Sequence, residues 1–112
     1  MENTEKINKL KGMLEEAPDD SFLLFALAKA YSNLGNHTAA ISTFEQLRSI
    51  NPEYIGLYYH LAQDYETIRS FDKAKAIYEE GISRCSLTHD AQTRAELQNA
   101  LLNLEIDRDF GE

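Results

Sequence analysis

The sequence predicts an all-α protein, an alpha-alpha superhelix of antiparallel helix pairs with about five helices, forming a single domain over 1–112. Three observations predict it. Shifting the chain by 34 residues superposes Leu24 on Tyr58, Leu27 on Leu61, Ala28 on Ala62, Tyr31 on Tyr65, Leu34 on Ile68, Ala40 on Ala74 and Phe44 on Tyr78. Within a copy, Leu24, Leu27, Ala28 and Tyr31 follow the i, i+3, i+4, i+7 spacing of one helical face. Helix breakers, Gly35 and Asn51-Pro52, separate the apolar runs. A fixed period of this length marks stacked units, none of which can bury its apolar face alone.

The leading helix, 4–17, reads as half a unit, because the same shift places Ile7 on Ile41, Leu10 on Phe44, Met13 on Leu47 and Pro18 on Pro52. Unit one covers 21–54. Asp20 or Ser21 can cap its first helix, and Gly35 ends it by taking the left-handed conformation a helix exit favours. Asn36 or Thr38 starts the second helix, whose Ile41, Phe44, Leu47 and Arg48 run on to Ile50. Unit two covers 55–88, with Asp72 as the expected cap of its second helix and Ala74, Ile77, Tyr78 and Gly81 facing inward. Ala28 and Ala40 supply the small side chains that closely crossing helices need, and Tyr31 and Tyr65 fill the space between units.

A final capping helix is expected over 89–107, opened by Thr88 or Asp90, and followed by a flexible tail at 108–112. Its best apolar set is Leu97, Ala100, Leu101 and Leu104, which leaves a second stripe of Ala91, Ala95, Leu102 and Ile106. A helix that ends a solenoid is normally polar outside, so this second stripe points to a homodimer as the alternative use of the chain.

The offsets of Leu24, Leu27, Ala28, Tyr31, Gly35, Ala40, Phe44, Leu47, Ile50 and Pro52, repeated by Tyr58, Leu61, Ala62, Tyr65, Ala74, Tyr78 and Gly81, resemble the tetratricopeptide repeat (TPR) family. The chain departs from that pattern where Leu24 and Tyr58 replace its frequent tryptophan, Arg69 its turn glycine and Ser86 its second terminal proline. The resemblance implies a TPR solenoid acting as a scaffold or adaptor that binds a peptide or helix of another protein. One subfamily grips a chaperone tail by a five-residue carboxylate clamp. The matching positions here are Phe25, Lys29, His60, Asp90 and Arg94, and only Arg94 agrees, which argues against that ligand.

Composition narrows the function. A formal charge of -8 repels nucleic acid and anionic lipid. The lone thiol, Cys85, excludes an internal disulfide and a cysteine-rich zinc site, and fits a reducing compartment. The amino terminus lacks the apolar run of a secretory signal, and no window approaches the ~20 apolar residues of a membrane span, so a cytoplasmic location is expected.

No catalytic constellation stands out, and neither an enzyme nor a cofactor is expected. His37, His60 and His89 are never four residues apart, as a helical metal pair would require. Asp109-Phe110-Gly111 matches a kinase magnesium motif without the phosphate loop, strand lysine or catalytic loop that gives it meaning. Glu15-Glu16, Asp19-Asp20 and Glu79-Glu80 read as solvated faces and helix starts.

A partner is expected in the concave groove, which the first helix of each pair lines. The candidate residues are Phe22, Phe25, Lys29 and Asn33 in unit one, Tyr59, His60 and Gln63 in unit two, and Arg94 in the last helix. Read together, they form a basic, aromatic strip suited to an extended peptide or to a helix with an acidic end.

Overall fold

Short capped helices joined by tight turns organise the chain. The computed structural model describes residues 2–88 and 90–110, so His89 and the glycine at 111 lie outside it. Among the described residues there are six α-helices: α1 (Glu2–Glu16), α2 (Ser21–Asn33), α3 (His37–Ile50), α4 (Gly56–Thr67), α5 (Phe71–Thr88) and α6 (Ala91–Asp109). Residues 108 and 109 thus continue the last helix. No helix among these residues is long and apolar enough to cross a membrane.

Three of the helix starts among the described residues have a side-chain cap. Asp20 Oδ1 accepts from Leu23 N at 3.0 Å, Asn36 Oδ1 from Ala39 N at 3.1 Å and Asp90 Oδ1 from Thr93 N at 3.1 Å, which decides the open capping choices in favour of these three residues. At α5 the expectation fails. Ser70 precedes the helix and its carbonyl accepts from Ala74 N, so Asp72 lies inside the first turn, where it accepts from Arg108 at 3.0 Å.

The two hairpin turns share one geometry. After α2, Gly35 adopts φ +89°, with Gly35 N bonded to Ser32 O and Asn36 N to Tyr31 O. After α4, Arg69 adopts φ +66°, with Arg69 N bonded to Glu66 O and Ser70 N to Tyr65 O. Both are Schellman exits, so arginine at the second fills a glycine position at the ordinary cost of a left-handed L-residue.

Helices pack chiefly on their neighbours in sequence: α1 on α2, α2 on α3, α3 on α4, α4 on α5 and α5 on α6, with a smaller α2–α4 contact. The main core joins Leu24, Ala28, Ala40, Phe44 and Leu47 of unit one to Leu57, Tyr58, Leu61, Ala62, Ala74, Ile77 and Tyr78 of unit two and to Leu97 and Leu104 of α6. Each fully buried large side chain contributes about 1.5–3 kcal/mol. A satellite cluster under α1 holds Ile7 and Leu10 against Leu23, Leu27 and Ala30. Tyr65 is buried, whereas Tyr31 is only half-buried, with Lys11 Nζ 5.8 Å from its ring centre. Gly81 permits the closest approach: a Cβ there would lie 2.7 Å from Tyr58 Cβ and 2.9 Å from Leu97 Cδ1.

Two polar groupings join the units. Asp64, buried on α4, accepts from Ser32 Oγ of α2 at 2.8 Å and lies 2.7 Å from His37 Nδ1 at the start of α3. Its other oxygen is buried and has no hydrogen-bond partner among the described residues. Between α3 and α5, Arg48 donates to Glu80 from Nε at 2.9 Å and from Nη2 at 2.6 Å, and to Glu45 from Nη1 at 2.7 Å.

Candidate partner-binding groove

Between α4 and α6, both of which pack on α5, lies a groove of about 500 Å³. Tyr59, Gln63 and Glu66 line it from α4, and Glu96, Asn99, Ala100, Asn103, Leu104 and Asp107 from α6. The helical repeat explains both walls. Leu97, Ala100, Leu101 and Leu104 turn α6 toward the core, which brings Glu96, Asn99, Asn103 and Asp107, at i, i+3, i+7 and i+11, to one edge. On α4, Tyr58, Leu61, Ala62 and Tyr65 face inward, and the residues one position along, Tyr59, Gln63 and Glu66, face the groove.

On the α4 side the groove is tied to the core by Tyr78. Tyr78, rising from α5, donates to Glu66 Oε2 at 2.5 Å and accepts from Gln63 Nε2 at 2.6 Å. Burial, followed by the Glu66 carboxylate, pushes the Tyr78 hydroxyl above its usual range, so it remains a donor and holds Glu66 in place. Glu96 and Asp107 enter no hydrogen bond or ion pair among the described residues.

The sequence-predicted residues separate into four places. Tyr59 and Gln63 line the groove. Phe25 and His60 join an aromatic cluster beside it: Phe25 lies 5.2 Å from Tyr54, 5.6 Å from His60 and 6.0 Å from Phe44 between ring centres, and Lys29 Nζ sits 5.7 Å over its ring. His60 stacks on Phe44 and meets Tyr59 edge-on at 5.6 Å, so it bridges cluster and groove. Burial first and Lys29 second lower the His60 pKa, which keeps the ring neutral at physiological pH. Phe22, 70% exposed, and Asn33 stand in solvent on α2.

Arg94 is elsewhere. It donates to Ser86 Oγ at 3.3 Å and lines a small cavity with Cys85, Ser86 and Ala91. Phe25, Lys29, His60 and Tyr59 are thus contiguous while Arg94 does not join them, and the groove that continues from Tyr59 carries three carboxylates and no cation in its lining. Sequence reasoning passed over Asn99, Asn103 and Asp107, although their spacing with Glu96 is a polar helical stripe beside an apolar one.

The second stripe of α6 is exposed. Leu102 at 54% and Ile106 at 44% share a shallow cleft with Asp72, Lys75, Glu105, Arg108 and Asp109, crossed by the Lys75–Glu105 and Arg108–Asp72 ion pairs. Ala95 and Ala91 are exposed about two and three turns before Leu102. Burial raises the pKa of the Cys85 thiol, which marks it as a packing residue. Among the described residues no group of three or more His, Cys, Asp or Glu could hold a metal ion.

With this geometry, the comparisons agree with one another. Tetratricopeptide repeat models match residues 21–64 and 55–86. The solution structure of a tetratricopeptide repeat domain protein from Salinibacter ruber is similar at 35% identity, covering 79% of this chain and 89% of that one, with a TM-score of 0.74. A crystal structure from the same organism gives 35% identity, 77% and 97% coverage and a TM-score of 0.73. The TPR2B domain of yeast Sti1, in complex with pHsp70, shares the fold at 14% identity, covering 90% of this chain and 81% of that one, with a TM-score of 0.84. Among curated proteins, none matches. The two repeat units, their Schellman exits and the matched Salinibacter ruber domain lead to one conclusion: the chain belongs to the tetratricopeptide repeat family.

Proposed function

We propose that the protein is a non-catalytic protein-interaction module, a scaffold or adaptor that holds a segment of a partner in the groove between α4 and α6. The observation that carries this reading is the groove's chemistry. An exposed tyrosine and the partly exposed Ala100 lie among the amides of Gln63, Asn99 and Asn103, which can both donate to and accept from a peptide backbone. A related fold, that of yeast Sti1, was solved in a complex with pHsp70, which adds support by analogy of fold. The buried single thiol supports a reducing, cytoplasmic setting.

A photo-crosslinking side chain at Asn103 tests the reading in cells that make the protein, with the same side chain at exposed Ser42 of α3 as control. Discrete adducts from Asn103, absent from Ser42 and lost with Tyr59→Ala, are the expected result. Equal adducts from both positions would remove the groove as the binding surface.

A second reading is self-association through α6, supported by the exposure of Leu102 and Ile106 in one cleft. Leu102→Glu decides it by light scattering. A fall to monomer mass sustains the reading, and an unchanged mass discards it.

A further inference from the structure

We infer that the α4–α6 groove takes an extended partner segment carrying two Lys or Arg side chains about four or six residues apart, an assignment that rests on the groove reading above. Three carboxylates, Glu66, Glu96 and Asp107, line the groove with no cation among them. Glu66 is engaged by Tyr78, but Glu96 and Asp107 are exposed and carry no hydrogen bond or ion pair among the described residues. Elsewhere the chain does pair its inter-helix carboxylates, as at Glu80 with Arg48 and Arg84.

The spacing sets the shape of the occupant. Glu96 and Asp107 stand eleven residues apart on α6, about 16 Å at ~1.5 Å per residue. An extended chain covers that distance in roughly five residues at ~3.3 Å each, and because successive side chains face opposite ways, two long side chains that both face α6 are about four or six apart. Between the two carboxylates, Asn99 and Asn103 follow one another by about one turn, and Gln63 looks across from α4, so amides are present along the path that a peptide backbone would take. Tyr59 offers an aromatic face for a guanidinium or ammonium group. The formal charge of -8 steers a basic segment inward and repels a second copy of this chain.

The test uses the full chain and three synthetic probes of about nine residues, alike except for two positions six apart that carry arginine, glutamine or glutamate. Binding is read by fluorescence anisotropy and by amide chemical shifts, on the wild type and on the Glu96→Gln/Asp107→Asn double variant, whose altered side chains are exposed. Expected is binding of the arginine probe with shifts at Gln63, Asn99 and Asn103, weakened about tenfold in the double variant and by added salt. If the glutamine or glutamate probe shifts the same amides as strongly, or the double variant binds the arginine probe unchanged, the charge assignment falls while the groove reading stands. Arginine-probe shifts confined to other surfaces overturn the assignment too. If no probe shifts the groove amides, the assignment falls, and the groove reading is judged by the Asn103 crosslinks alone.

Discussion

Two consecutive tyrosines divide the molecule into regions that handle charge in opposite ways. Tyr58 faces the seam between α3 and α5 and is fully buried, donating to Pro52 O at 2.5 Å and to Glu80 Oε2 at 3.3 Å. Tyr59 faces the groove and is 39% exposed. In the seam every carboxylate meets a donor: Glu45 takes Arg48 and Tyr65, Glu80 takes Arg48, Arg84 and Tyr58, and Glu53 takes Arg84. Against the cost of burial, Arg48 holds the Glu80 carboxyl below its usual range. In the groove, Glu96 and Asp107 meet none among the described residues. Neighbouring side chains on one helix thus serve different ends, one cementing the stack and the other left open.

The comparison breaks most visibly at Tyr58. Tyr58→Ala removes a fully buried aromatic and should lower unfolding free energy by ~3–5 kcal/mol in urea titrations; a loss below about 1 kcal/mol would mean the seam is not core. Glu80→Gln comes next, since it leaves Arg48 and Arg84 with a weaker acceptor, and a loss of about 1–2 kcal/mol is expected in the same titration.

Alkaline pH sharpens the contrast. Burial and then Glu80 push the Tyr58 hydroxyl up to about 12, and burial and then Glu45 do the same for Tyr65. A raised folded pKa favours the protonated form, so this stability is complete below the ordinary value of 10 and is lost as pH rises toward 12. Tyr65→Phe should flatten that loss by roughly 1–2 kcal/mol, and a profile parallel to the wild type would contradict the seam assignment.

The smallest stability effects belong to the groove. Tyr59→Ala and Glu96→Gln should each stay within about 0.5 kcal/mol of the wild type while impairing partner capture. A large destabilisation by either would show that the groove wall is part of the core.

Much of this was legible from periodicity. The 34-residue shift identified the helix pairs, and the apolar stripe Leu97, Ala100, Leu101 and Leu104 gave α6 its orientation, because burial is periodic and depends on local spacing. Long-range polar partners were not legible. Arg48 and Glu80 lie 32 residues apart, and nothing local couples them. Asp72 resembled a cap by residue type, but the Schellman exit at Arg69 sets the helix start two residues earlier. Asp64 could have been found: the same shift places it on Ala30, a buried position, so a carboxylate there required partners. Arg94 was expected beside Tyr59 and His60, but α6 follows its own apolar stripe and Arg94 donates to Ser86 instead.

The neighbour-by-neighbour packing of the six helices also governs how the chain finds its shape. Contacts between sequence-adjacent helices need little loop closure, so ordering can spread outward from the α3–α4–α5 centre like a zip, on the fast side of the range for domains of this size. At the amino-terminal end the zip is loosest: α1 rests on α2 through the small Ile7–Leu10 cluster, and its amides should exchange with solvent before those of any helix in the main core.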